Sequence, residues 1–558
     1  MTLRWDERCC LPPFQRQIHL ETPEQVSPAP QTPYREVEQM THHSPRALSL
    51  SVRIRAAARR VLRVGALILG PGAAWSQGTA PAPTASTARA AGPWVVPCPF
   101  DSSKALLPVS CGRLKVAENP ENPRGRTVEI AFMRVKAPRN IDQHGPILFL
   151  NGGPGDNSLY YAEQLVTHAH VRDVVVDRDW IFFDQRGTGR STPALYCPPD
   201  AEWFTQVKTC KDQLIAQGID LSQYNSVRIA GDMEALRVAL GVRQWHLWGI
   251  SYGARLAVLA ARSYPASVRS IILDGAALPE GQERVDDARG TEAALDKIFA
   301  KCAADSACAR AYPQLRSRLT AALPRLRQQP LSAGDRRYDD AAVMRFVRNW
   351  LYPRGYSTFE QRIQSLLVFM DAAARGDGQL MHETRRRMRT EEGLDTRTEP
   401  PVPSYGRYSI GQNLSVYCHE SEPFESMEEH QRAVAGSVIL RALLEGFGAD
   451  SACSLWSAGR AEAAARTGRY DGPQLVFSGE LDASSSGLAG YQIAELNPNA
   501  RHVVFRNGMH GQFRMELPTK EDTDHRMCAL RLARDFVADP QRRLDTGCAD
   551  TRRLRLVR

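Results

Sequence analysis

The chain has 558 residues, 43% hydrophobic and 24% charged, with a formal net charge of +9. That balance suits a folded chain with several structural units and argues against wholesale disorder. The charge sits at the ends: ten Arg against six acids in residues 1–76, and four Arg in the last seven residues. The body between is near neutral and lacks the basic, aromatic-interleaved stripe of a nucleic-acid binder, so no nucleic-acid partner is expected.

Residues 1–52 are an upstream extension rich in Pro, Gln and His without periodicity. They read as disordered, or as an over-called start with translation beginning at Met40. Residues 53–76 run from basic (RIRAAARRVLR, 53–63) through apolar (VGALILGPGAAW, 64–75) to Ala74 and Ser76 at a cleavage site. This is the order of a signal peptide, cut at Ser76–Gln77, and it predicts an exported protein, periplasmic or secreted. Arg59–Arg60 hints at the export route for folded proteins. Residues 77–93 are an Ala/Pro/Thr linker. No apolar run reaches 18 residues, so stable membrane insertion is not expected.

From residue 94 on, strand-like runs alternate with helical patterns, which predicts an α/β fold with a mostly parallel sheet covered by helices on both faces. The strand candidates are 127–137, 146–153, 179–187, 245–251 and 268–275, then 473–482 and 501–508. Helical patterns occupy 227–241, 254–265 and 525–539. Residues 277–470 break the alternation with helical patterning rich in Arg and Glu. They read as an inserted helical cap between the core's first part, 94–276, and its C-terminal part, 471–558.

Ten cysteines follow the presumed leader, an even number suited to an oxidising compartment. Pairing of sequence neighbours predicts 98–111, 197–210, 302–308, 418–453 and 528–548, although spacing leaves other connectivities open. With no CxxC or HExxH, and only a short His168-x-His170 pair, no metal is expected.

The chemistry-bearing motif is Gly249-Ile250-Ser251-Tyr252-Gly253, a G-x-S-x-G between the run WHLW and a good helix. Flanking glycines let a strand turn sharply into a helix and hold the serine exposed. Asn151-Gly152-Gly153-Pro154-Gly155 ends an earlier strand. Its bare backbone predicts an oxyanion hole made by the N–H groups of Gly153 and Tyr252. Asp482 follows LVFSGEL, and His510 sits in a GMHG loop after HVVFRNG. The order Ser251…Asp482…His510 fits a nucleophile–acid–base triad. Asp274, in IILDG, is a rival for the acid, and Glu480 a weaker one. Such a triad needs no cofactor, and no phosphate-binding GxxxxGK[ST] is present.

GGPG at 152–155, DQRGTGRS at 184–191, GISYG at 249–253, SGELD at 478–482 and GMHG at 508–511 occur in that order. Together they resemble the proline iminopeptidase and tripeptidyl aminopeptidase group of α/β-hydrolases, from about Cys98 to Cys548. CAADSAC and the last cysteine pair are similar to its exported tripeptidyl-aminopeptidase branch. Asn151 replaces the group's usual His before the two glycines. The resemblance implies an aminopeptidase releasing amino acids or short peptides from free N-termini, with a peptide substrate. An exported carboxylesterase acting on a small ester is the alternative. An aminopeptidase needs an anion to hold the substrate ammonium, and Glu420, in YCHESEPFES, is the expected anchor. Asp184 and Arg186 are expected to brace a loop near the site.

Overall fold

In the computed structural model, residues 94–557 are described apart from 140–144, 199–202, 277, 353–357, 392–407, 447–451, 457, 467, 485 and 514–522. The upstream extension, the signal-like segment and the linker lie outside the described residues.

The strands in chain order are β1 (Trp94–Val96), β2 (Val109–Ala117), β3 (Thr127–Val135), β4 (Ile147–Leu150), β5 (Trp180–Phe183), β6 (Trp245–Ile250) and β7 (Val268–Asp274). They continue with β8 (Leu331–Ala333), β9 (Arg336–Tyr338), β10 (Gln474–Gly479) and β11 (Ala500–Phe505). Nine of them form one sheet in the order β1-β2-β3-β5-β4-β6-β7-β10-β11. Pairings from β1 to β5 are antiparallel, and those from β5 through β4 to β11 are parallel.

The parallel strands are continuous apolar runs because helices cover both faces. Side chains alternate across the sheet, so neighbours in sequence enter different cores. Leu148, Ile181, Leu247, Ile271 and Val476 face one core, with the helices Ser226–Ala239 and Tyr252–Ser263. Phe149, Phe182, Trp248, Ile272 and Phe477 face the other, with the helices Leu159–Val166 and Thr523–Ala538. On that second face Trp180, Trp248 and Phe513 pack ring to ring.

Between β7 and β10 the described elements are helices, except for the β8–β9 hairpin. Their apolar faces form a third core that includes Trp350, Leu366 and Leu443. Leu481, Ala483 and Met509 belong to the same core. The loops that follow β10 and β11 are therefore packed by the helical insert.

The structure departs from the expected elements at two places. β1 and β2 extend the sheet on the antiparallel side, and the insert carries a hairpin. All five expected disulfides are present: Cys98–Cys111, Cys197–Cys210, Cys302–Cys308, Cys418–Cys453 and Cys528–Cys548. Among the described residues no helix is long and apolar enough to cross a membrane.

Candidate active site

Ser251 follows β6 directly and precedes the helix Tyr252–Ser263. Its backbone has φ 57° and ψ −124°. A non-glycine residue there is strained by about 1–3 kcal/mol, and such residues persist only where the surroundings fix them. Here the surroundings do so through close backbone contact. A methyl on Gly249 would lie 2.1 Å from the Gly253 carbonyl oxygen, and one on Gly253 would lie 2.1 Å from that of Leu150. The Ser251 N–H donates to the Asp274 carbonyl at 2.9 Å. The Tyr252 N–H opens the helix, where backbone donors lack intrahelical partners.

The loop after β4 lies against this serine. A methyl on Gly152 would come within 2.9 Å of the Ser251 Cβ. Asn151 braces the loop: its Oδ1 accepts from the Gly152 N–H at 3.0 Å, and its Nδ2 donates to the Asn157 carbonyl at 2.9 Å. Gln185 donates to the Asn151 carbonyl, and Asn413 to that of Pro154. Gly153 has φ +105°, a conformation that favours glycine. This leaves the Gly153 amide in the turn beside the nucleophile strand.

Asp482 and His510 follow β10 and β11, two and three strands further along the sheet, and His510 Nδ1 lies 3.0 and 3.1 Å from the carboxylate oxygens of Asp482. Both residues are buried. Asp482 also accepts from the Ser484 N–H at 2.9 Å. The Tyr352 ring packs on the imidazole at 5.0 Å between centroids. In parallel register Ile250 pairs with Asp274, Asp274 with Phe477, and Gly479 with Phe505. Ser251, Asp482 and His510 therefore emerge from the same C-terminal edge of the sheet, where ligand sites of open α/β sheets lie.

A sequence profile of the alpha/beta hydrolase fold matches residues 145–365, from β4 into the helical insert. The fold is that of the α/β-hydrolases. Among curated relatives, the chain is 28% identical over 242 residues to "Serine protease Hip1" of Mycobacterium tuberculosis, 38% of this chain and 45% of that one. It is 30% identical over 209 residues to "Probable proline iminopeptidase" of Streptomyces coelicolor, 37% of this chain and 53% of that one. It is 28% identical over 222 residues to "Carboxylesterase B" of Mycobacterium tuberculosis, 36% of this chain and 42% of that one. The chain thus spans about half the length, or less, of the curated relatives it matches.

Within this fold the rival acids have other partners. The Asp274 carboxylate accepts backbone N–H bonds from Gln512 and Phe513 at 2.7–2.9 Å. Glu480 pairs with Lys301 at 3.0 Å and accepts from the Asn507 N–H at 2.8 Å.

Glu420, expected to hold a substrate ammonium, is engaged within the protein. One oxygen accepts from the Ser226 N–H at 2.6 Å; the other accepts from the Ser226 hydroxyl at 2.6 Å and faces Arg255 at 3.4 Å. It is 3% exposed. The Ser226 hydroxyl also meets the Tyr252 hydroxyl at 2.7 Å, so Glu420 ties the insert to the residue after the nucleophile. Burial pushes the Tyr252 phenol up, and the Glu420 charge adds to that. With both oxygens engaged inside the protein and the group buried, Glu420 is a structural link between insert and core, in place of the expected ammonium anchor.

Acids do line a cleft nearby. A cavity of about 150 Å³ is bordered by Arg255, Glu283, Asp286, Asp287, Ser484 and Leu488. Ser484 is two residues past Asp482, and Arg255 lies on the helix that Ser251 introduces. Asp287 is paired with Arg348 at 2.5 Å. Burial still pushes its carboxyl up to about 6, with the Asp482 charge a smaller contribution in the same direction. Sequence reading missed Tyr352, Asp287 and the cleft acids, because helix patterning does not say which face meets the sheet.

The DQRGTGRS loop is an internal brace. Asp184 accepts from the N–H groups of Ser158, Leu159 and Arg190. Arg186 is 1% exposed, grips both Asp232 oxygens at 2.7 Å, and donates to the carbonyls of Glu118 and Gln223.

Proposed function

We propose that this protein is an exported serine hydrolase that cleaves peptides near free N-termini, with Ser251, His510 and Asp482 as its triad. The observation that carries the reading is the strained Ser251 turn, on the same sheet edge as a buried imidazole–carboxylate pair. His510 Nε2 takes the Ser251 proton as Oγ attacks the acyl carbon. Asp482, bonded at Nδ1, orients the ring and stabilises the imidazolium. The N–H groups of Tyr252 and Gly153 receive the charge on the carbonyl oxygen. His510 then protonates the leaving amine, and a water repeats the sequence on the acyl-enzyme.

The free-amine preference rests on the cleft acids. Glu283 and Asp286 border the cavity with side chains 46% and 49% exposed, beside Arg255 and Arg289, and a substrate ammonium there would compete with these arginines for the carboxylates. The similarity to proteins named serine protease and proline iminopeptidase supports the same reading. Residues 277–470 act as the cap that limits the cleft to chain ends. Export is supported by the leader-like residues 53–76 and by five disulfides, which persist in oxidising compartments. The carboxylesterase alternative is favoured by one observation: Leu278, Leu488 and Ala489 give the same cleft an apolar side suited to an acyl chain.

The test compares the purified protein with Ser251→Ala on free-amine aminoacyl amides, their N-blocked forms and a short acyl ester. Ser251-dependent cleavage of free-amine amides alone is the expected result. Cleavage of the ester alone would replace the peptidase reading by the esterase one. Cleavage that survives Ser251→Ala would overturn both.

A further inference from the structure

The residue that competes with Asp482 for the role of triad acid sits between the nucleophile and the base. Asp274 is the last residue of β7, fully buried, and it makes two sets of contacts. Its main-chain carbonyl accepts the Ser251 N–H at 2.9 Å. Its carboxylate accepts the N–H of Gln512 at 2.7 and 2.9 Å and that of Phe513 at 2.7 Å. Those two residues directly follow the His510–Gly511 step. One residue thus joins the turn carrying Ser251 to the loop carrying His510.

The next residue fits the same purpose. Gly275 has φ +61°, and its N–H donates to the Phe477 carbonyl at 3.0 Å. A methyl there would lie 3.0 Å from both Cε1 and Nδ1 of His510. Glycine lets the imidazole rest directly on the end of β7. The ring is then bounded by Gly275, by the Asp482 carboxylate and by the Tyr352 ring.

We infer that Asp274, with Gly275, is a positioning residue that fixes the imidazole of His510 relative to Ser251. The inference rests on the proposed triad. Loop segments are the mobile parts of a fold, and a base must be held to a fraction of an ångström. Two charge-assisted N–H bonds from consecutive residues add a rigid polar hold to a loop that is otherwise anchored by packing, Phe513 against Trp180 and Trp248, and Met509 in the core of the insert. Asn, the isostere, keeps one acceptor oxygen and turns an NH2 toward one of the two donors.

Asp274 also acts on the base by charge. The charged groups nearest to it are His510 and Asp482, with the Asp287–Arg348 pair beyond Asp482. An anion here favours the imidazolium, so its removal makes the imidazole a weaker base. Burial pushes the Asp274 carboxyl up to about 7, against the pull of the two N–H donors and of His510.

The experiment measures kcat and KM from pH 5 to 9 for the wild type, Ser251→Ala, Asp274→Asn and Gly275→Ala. The substrates are a free-amine aminoacyl anilide and a short nitrophenyl ester, with thermal unfolding recorded for each protein. For Asp274→Asn, kcat should fall roughly 10- to 100-fold on whichever substrate the wild type turns over, as for a misplacement of about 1 Å, with KM within about twofold. The acid limb of its pH profile should move to lower pH. Gly275→Ala should lower kcat in the same way, and it decides the matter if Asp274→Asn does not fold. A folded variant with wild-type kcat and an unmoved acid limb overturns the inference, as does a loss confined to KM. Activity remaining in Ser251→Ala would instead remove the triad on which the inference stands.

Discussion

The turn at Gly249–Gly253 and the loop at Asp184–Ser191 are both glycine-containing, both follow a buried strand, and both belong to motifs visible in the sequence. They treat their polar groups in opposite ways. In the loop, Asp184 satisfies three N–H groups, Arg186 holds a carboxylate and two carbonyls, and Ser191 donates to the Asp184 carbonyl. In the turn, two glycines let three backbone segments meet, and Ser251 is left strained with its hydroxyl beside the Gly152 loop. A motif whose polar atoms are bonded internally is a brace, whereas one that strains its backbone to present a side chain is a site.

Substitutions can break this contrast. Ser251→Ala should lower turnover at least about a thousandfold and leave the unfolding midpoint nearly unchanged. Assay and melt on the same sample would check it, and a residual rate near wild type would put the turn among the braces. Arg186→Met should do the reverse. It leaves Asp232 buried without its partner, which costs about 3–5 kcal/mol in such pairs. Denaturant unfolding would register the loss, while kcat per folded molecule stays close to wild type. Gly253→Ala tests the close approach beneath the serine. A methyl 2.1 Å from the Leu150 oxygen forces strand and helix apart, and destabilisation of about 1–3 kcal/mol should accompany reduced kcat. Opening the Cys418–Cys453 disulfide by Cys→Ala at both positions should cost about 2–4 kcal/mol, read from the melt, with kcat little changed.

The smallest expected effect is on the shape of the pH profile. His510 must be neutral to accept a proton, so activity should fall as the pH drops through the imidazole range. Asp274, pushed up to about 7 by burial, gains a proton over the same range and then loses acceptor capacity for the two N–H groups. Both protonations act in one direction. The logarithm of kcat/KM should fall on the acid side with a slope steeper than one, and Asp274→Asn should return it to one.

The parallel strands were legible because burial on both faces leaves apolar runs that polar loops interrupt. β2 was not: VSCGRLKVA alternates Arg and Lys with apolar residues and carries a glycine, so it reads as a loop edge. The β8–β9 hairpin was hidden because LSA and RRY are three residues each, too short to show an alternation. Ser251, Asp482 and His510 were visible as residues just past strands. Sequence order favoured Asp482 but left Asp274 as a rival, since each ends a strand run; which loop lies beside His510 depends on the order of strands in the sheet. Glu420 was misread for a similar reason. Its partner Ser226 lies 194 residues upstream, and nothing local separates an acid that will be buried from one that faces a cleft.

β7 and β10 are neighbours in the sheet, with Asp274 opposite Phe477, yet the whole helical insert lies between them in the chain. Closing a loop of roughly 200 residues costs more chain entropy than pairing β6 with β7, which are near neighbours in sequence, or β4 with β6, about half as far apart. The serine turn can therefore form early in folding, while the strands that carry Asp482 and His510 dock last. Under the proposed triad, a chain caught partway holds its nucleophile without a base. Hydrolytic competence then arrives only with the final docking step, after the helices that restrict the cleft have formed.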